Sequence, residues 1–433
     1  MIPARIDRNR DETGAGSETR TCRRFLGAAA ATSVTALAGC PLGTDGTATE
    51  TPTETPVDTP TNTPMETSTD TATDAPTPTA TESPTETPTD TPTETPTETP
   101  TETPGNPRVE WTYQTPASIP RGPAVASGTV YVASEDGTVT AVDADSGDQI
   151  WASTADDTIL ARPAVADGTV YVGTRGGVLL ALDASDGSDV WTYDTGAVLA
   201  WSPTVAEGTV YVGGTAGELL AVDADSGTRE WTYTAGGETL SRPVVADGTV
   251  YAGNVDGTVH AVNASDGDEE WTFDAEDLVG TPAVADGTVY AASFTGKLHA
   301  VDANSGSEEW VFGPKTDSVG RDEPLASAAV ADGTVYAGGA YETLYAVDAS
   351  DGSSAWSYDG GDPVRGSPAV VDDTVHAGSG DTVHAVAAGD GAGEWTYRAD
   401  DTLDRSSPAV ADGTLFVGTE RGTLYALDTA SNP

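Results

Sequence analysis

Between residues 108 and 433 short runs of alternating apolar and polar residues recur in a fixed order. Each unit reads Pro-Ala-Val-Ala, Asp-Gly, Thr-Val-Tyr-Val-Gly, a Gly turn, Leu-Ala-Val-Asp-Ala, Ser-Gly and a Trp-x-Tyr segment. Alternation with a period of two marks strands with one buried face. Asp167-Gly168, Asp247-Gly248, Asp286-Gly287, Asp332-Gly333 and Asp412-Gly413 suit two-residue hairpin turns that need positive φ. No helical periodicity competes, so each unit predicts four antiparallel strands.

Trp111, Trp151, Trp191, Trp231, Trp271, Trp310, Trp356 and Trp395 recur at intervals of 40, 40, 40, 40, 39, 46 and 39 residues. A period near 40 predicts propeller blades. The first Trp segment, Val109 to Tyr113, has no strands before it, and the last unit, Pro408 to Asp428, has no Trp segment after it. Each supplies what the other lacks. The fold class is therefore all-β: an eight-bladed β-propeller of four-stranded antiparallel blades, closed by the N-terminal strand and without an open edge.

Charge divides the chain into three. Residues 1–40 hold 6 basic and 4 acidic groups, residues 41–107 hold 13 acidic and no basic groups, and residues 108–433 hold 52 acidic and 13 basic groups, for a total of -50. Such a charge excludes nucleic acid and anionic membrane surfaces as general partners. The acid excess, with only Lys297 and Lys315 as lysines, resembles that of proteins from extreme halophiles, where carboxylates keep the surface solvated.

Residues 1–39 read as a signal peptide: an Arg-rich stretch, 14 residues from Phe25 to Ala38 that are apolar or small, then Gly39. That stretch is too short to span a bilayer. Leu37-Ala38-Gly39-Cys40 resembles a lipobox, which implies that Cys40 is lipidated and holds the chain on the outer face of the cell membrane. A diacyl or diether group suits stable anchoring better than one chain. Arg23-Arg24-Phe25-Leu26 resembles a twin-arginine export signal, without the usual residue between the pair and Phe. With Cys22 removed and Cys40 lipidated, the mature chain forms no internal disulfide.

Residues 40–107 begin at the lipidated Cys and continue as a Thr-Pro-Glu and Thr-Pro-Asp repeat, which is too polar to offset its ordering entropy. It predicts a disordered stalk. About 60 residues in polyproline geometry reach on the order of 190 Å. Its threonines fit O-glycosylation, and Asn263-Ala264-Ser265 is an N-glycosylation sequon.

Ala-x-Asp-x-x-Ser/Thr-Gly-x-x-x-Trp is complete at Ala141, Asp143, Ser146, Gly147 and Trp151, and again before Trp231 and Trp310; looser copies lead to Trp191, Trp271, Trp356 and Trp395. It resembles the tryptophan-docking motif of the pyrroloquinoline quinone (PQQ) type propeller repeat, and the resemblance covers residues 108–433. It implies the fold of the quinoprotein alcohol dehydrogenase-like superfamily, whose alcohol and sugar dehydrogenases bind PQQ with calcium at the axial funnel. The alcohol dehydrogenases stack the quinone on a disulfide of adjacent cysteines, which this domain lacks. No insertion supplies an obvious calcium-ligand and catalytic Asp set. In size, anchor and blade number the chain also resembles the lipid-anchored propeller of the bacterial outer-membrane assembly machine. These features favour a monomeric binding or scaffold module for a protein or small anionic ligand over a PQQ- and calcium-dependent dehydrogenase.

Three features carry candidate chemistry. Asp-rich turns such as Asp143 to Asp148 fail the EF-hand spacing and read as Asx turns. His260, His299 and His384 share one position with Thr140, Leu180, Tyr345 and Tyr425, which predicts packing between blades and no metal site. The three positions before the Pro-opened strand hold Arg121, Arg162, Arg242, Arg365 and Arg405, and Trp201 occupies the same window in the third unit. Arg321, with Lys315, lies in a longer sixth loop. If the first strand is innermost, these side chains rim the funnel and suit a carboxylate or phosphate. The other reading pairs each Arg with a carboxylate such as Asp156, Asp157, Asp404 or Glu323.

Overall fold

A computed structural model describes residues 109–236, 241–313, 323–403 and 406–430. The signal, Arg23, Arg24, Cys40 and the stalk lie outside these residues, as do Lys315, Arg321, Asp404 and Arg405. The described residues form 32 strands in eight four-stranded sheets. Blade 1 shows the plan: β2 (Ala124–Ala126), β3 (Thr129–Ala133), β4 (Thr138–Asp143) and β5 (Gln149–Thr154), each antiparallel to the next. At the β2–β3 equivalent of blade 2, Asp167 and Gly168 have φ of 47° and 80°, both on the positive side that this hairpin turn requires.

The first strand of every blade is innermost. From β2 to β30 (Ala409–Ala411) these strands contact one another in sequence, and β30 contacts β2. The last blade is composite: β1 (Val109–Gln114) pairs with β32 (Thr423–Asp428), which continues to β31 (Thr414–Gly418) and β30. The N-terminal strand therefore closes the ring, as the repeat count requires.

The core lies between blades. Tyr131, Val139, Ala141 and Trp151 of blade 1 pack with Ile159, Val170, Val172 and Leu182 of the segment entering blade 2 and of that blade itself. The β4–β5 pairing shifts register between Ala141 and Val142, so Ile150, just before Trp151, sits in a bulge and faces outward. In five other blades that position is a glutamate that reaches across the middle strand. Thr209 donates to Glu230 at 3.0 Å and Thr249 to Glu270 at 2.9 Å.

Candidate functional site

The tryptophans join the blades. Trp151 Nε1 donates to the Ala184 carbonyl at 2.9 Å, and Trp191, Trp231, Trp271, Trp310 and Trp356 make the same bond to Ala224, Ala264, Ala303, Ala349 and Ala388. Trp111 reaches Ala144 in the same way. Each of these indoles lies against the glycine of the next blade's Asp turn. A Cβ on Gly187 would stand 2.5 Å from Trp151. Trp395 is buried and packs against His376 at 5.6 Å between ring centroids.

The Asp turns are Asx turns. Asp143 Oδ1 accepts from the Ser146 amide at 2.9 Å and from its hydroxyl at 2.9 Å, and these bonds hold its carboxyl below the ordinary range. The shared-position histidines pack between blades: Tyr233 meets His260, Phe273 meets His299, and Tyr358 meets His384, all edge-on at 5.4–5.7 Å. Burial lowers the pKa of His260 and His384.

The arginine-bearing segments enter the innermost strands. The Arg121 guanidinium, from the segment before blade 1, lies 4.4 Å over the Trp201 ring, from the segment before blade 3. This is a cation–π contact between segments two blades apart. Trp201 also packs in a cluster with Leu278, ahead of blade 5, and its Nε1 is buried without a hydrogen-bond partner. Through Trp201 the segments ahead of blades 1, 3 and 5 therefore come into contact.

Arg162 and Arg242 each precede the proline that opens an inner strand, in blades 2 and 4. The Arg162 amide donates to Ser202 Oγ at 2.9 Å, and Arg242 Nε donates to Thr204 Oγ1 at 3.2 Å. Both therefore frame the start of blade 3. Their surfaces are half-buried although protein surrounds them densely, as befits side chains lining a narrow channel. Burial, and then the positive charge of Arg242, pull the Arg162 guanidinium down to about 9. Burial brings Arg242 down to about 10, so both stay protonated at neutral pH. Arg365 is half-buried ahead of blade 7.

Among the described residues the Arg162 guanidinium makes no hydrogen bond or ion pair. Of the carboxylates considered as partners, Glu323 instead accepts the Tyr345 hydroxyl at 2.5 Å and the amides of Tyr341, Glu342 and Thr343. Among the described residues neither Asp156 nor Asp157 pairs with an arginine. Sequence reasoning missed the Glu323 contact and the bulge-borne Thr–Glu bonds. The latter left a signal in the glutamate before Trp111, Trp231, Trp271, Trp310 and Trp395.

The described residues do not fit PQQ held with calcium. They contain no group of three or more His, Cys, Asp or Glu able to hold a metal ion. A cation beside Arg162 and Arg242 would face two like charges.

No curated protein matches the sequence. Among solved structures, BamB from Moraxella catarrhalis is 22% identical with a TM-score of 0.63, and the match covers 74% of this chain and 97% of that one. The designed protein Ika8 is 16% identical with a TM-score of 0.64, covering 73% and 97%. Quinohemoprotein alcohol dehydrogenase from Comamonas testosteroni is 17% identical with a TM-score of 0.62, covering 76% and 77%. At these identities the likeness is one of fold. The profile of one family, described as outer membrane protein assembly factor BamB, matches residues 103–199, 189–312 and 296–432, and the chain belongs to that family.

Proposed function

We propose that this chain is an extracytoplasmic propeller, tethered through lipidated Cys40 and its stalk, that works as a binding or scaffold module with an anion site at the arginine-bearing mouth. The observation that carries the anion site is the half-buried Arg162, whose guanidinium makes no hydrogen bond or ion pair among the described residues and is pulled down in pKa by burial and then by the positive charge of Arg242. In a domain with 52 acidic and 13 basic residues, a cation without a described carboxylate at Arg162 is a local reversal of sign. Such a reversal concentrates anions. The family description as an assembly factor supports a protein partner, and the lipobox-like residues support the extracytoplasmic setting.

Two experiments test this reading. Replacing Cys40 with Ser releases the protein from the membrane fraction if the anchor is correct, and leaves its distribution unchanged if it is not. Calorimetric titration of the whole mature protein with small carboxylates and phosphates gives saturable heat if the mouth is an anion site; silence for every anion overturns it. PQQ added with calcium, followed by dye-linked alcohol oxidation, checks the dehydrogenase alternative.

A further inference from the structure

Independently of the arginine-bearing mouth, we infer that the cleft between blades 1 and 2 is a binding site for an aromatic ring that carries a protonated amine. The starting point is one departure from the repeat. Two residues after its tryptophan every blade but one carries tyrosine or phenylalanine, and blade 1 carries Ser153. Elsewhere that ring fills the junction with the next blade. Tyr233 packs on His260, Phe312 on Tyr345 and Tyr397 on Tyr425, with ring centroids 5.5–5.8 Å apart. At the junction of blades 1 and 2 the third-strand residue in that place is Leu180, and Ser153 brings no ring to meet it.

Both walls of the junction register the change. A cleft of about 420 Å³ opens between the blades, lined by Val139 and Ser153 of blade 1 and by Leu180 and Leu182 of blade 2. Leu180 is half-buried, whereas its seven equivalents from Thr140 to Tyr425 are all buried. The volume is that of a small-ligand pocket. Its apolar walls suit a flat ring, whose burial between them is favourable.

The ends of the cleft set the polar groups of the ligand. At other junctions the tyrosine hydroxyl reaches the first residue of the next blade's outer strand: Tyr113 donates to Gln149 at 2.7 Å and Tyr233 to Glu269 at 2.5 Å. Asp189 holds that position in blade 2 and lines the cleft, so a carboxylate stands where a hydroxyl-bearing ring is received elsewhere. Asp156 and Asp157 line it from the segment that leaves blade 1. Asp157 extends to a turn of blade 2, where its Oδ2 lies 2.6 Å from the place of a Cβ on Gly176. From Val178, beside that turn, to Leu182, which pairs with Asp189, the strand covers about 13 Å, long enough for one ring and a short amine-bearing chain. Among the described residues three carboxylates and no basic side chain line the cleft, so the charge it selects is positive.

The test is titration of the whole mature protein at pH 7.5 and fixed ionic strength with tyramine, ethylamine and the capped peptide Lys-Tyr-Lys, on wild type, S153Y, D189N and D225N. At least one of the two ring-bearing probes should bind about tenfold or more tightly than ethylamine, which has the charge without the ring. S153Y should abolish that binding by filling the slot, and D189N should weaken it several-fold. D225N, in an exposed turn of blade 3, should leave it unchanged. Tighter binding of tyramine identifies a free aromatic amine as the ligand, and tighter binding of the peptide identifies a tyrosine beside lysine on a protein. Ethylamine binding as tightly as both ring-bearing probes, no binding of either, or full binding by S153Y overturns the inference. A second measurement needs no ligand. S153Y restores the residue type of the other junctions and should melt at or above wild type; a lower melting temperature would mean that the cleft does not have the shape of the replaced ring, and the inference is wrong.

Discussion

Trp111 donates its indole N–H to the carbonyl of Ala144 at 2.9 Å, although Trp111 belongs to the strand that completes blade 8 and Ala144 to blade 1. That bond spans the seam at which the ring closes. The same contact elsewhere joins blades that the chain already connects, but here it joins the two ends of the propeller. Trp111→Ala should cost about 3–5 kcal/mol, as for other buried aromatics, and lower the melting temperature by several degrees. Deleting residues 108–114 should lower it further and leave β32 with an open edge that promotes association. Calorimetry and light scattering check both; an unchanged melting temperature after the deletion would contradict closure.

The docking glycines should be intolerant of a methyl group for two separable reasons. Gly227 has φ of 68°, and a Cβ there would sit 2.6 Å from Trp191; Gly208 has φ of 81° and nothing within 4 Å. Gly208→Ala should cost about 1–2 kcal/mol of backbone strain, whereas Gly227→Ala should add about 1–3 kcal/mol for displacing the indole. Urea unfolding of the two variants gives the difference directly. Equal destabilisation would mean that the indole yields without cost.

His376 occupies the position of Tyr131, Tyr171 and Phe416 on the second strand of its blade, is 2% exposed, and has an unpartnered Nδ1. Burial lowers its pKa to about 4. Because the unfolded chain takes up this proton near pH 6.5 and the folded chain only near 4, stability is fully present above about pH 6.5 and is lost as pH falls toward 4. The loss approaches about 3 kcal/mol at the acid end. His376→Phe should flatten this part of the stability profile and melt higher at pH 5. A wild-type profile that is flat between pH 6.5 and 4 would show that His376 titrates normally.

Glu323 orders the turn of blade 6 by accepting three consecutive amides and the Tyr345 hydroxyl. Burial, and then the bond to Glu323, push the Tyr345 hydroxyl up to about 12. Tyr345→Phe removes one donor and should cost about 1 kcal/mol, while Glu323→Ala leaves several donors without an acceptor and should cost about 3 kcal/mol. Hydrogen exchange at Tyr341, Glu342 and Thr343 should quicken only in the Glu323 variant.

The parts of the molecule that repeat were legible in the sequence, because each copy of a motif constrains the others. The spacing from Trp111 to Trp395 implied the blades, and the unmatched end segments implied their closure. The exchange of His260 with leucine and tyrosine at equivalent positions implied packing between blades. Contacts found once were not legible. Periodicity places Arg121 and Trp201 in equivalent windows of different blades, but which side chains meet across an axial channel depends on their lengths and rotamers. Glu323 was considered as an arginine partner on charge alone; the nearby amides and Tyr345 hydroxyl satisfy it with shorter reach.

The pairing of β1 with β32 also sets an order of events during synthesis. Some 300 residues separate Trp111 from its strand partner Ala426, and at roughly 5–20 residues per second a ribosome needs on the order of 15–60 s to make them. Throughout that interval the first strand of the domain has no mate, while the blades behind it can form one after another. Sealing the circle is therefore the last step, and an unpartnered VEWTYQ ribbon is the species that each nascent chain must carry until its final blade emerges.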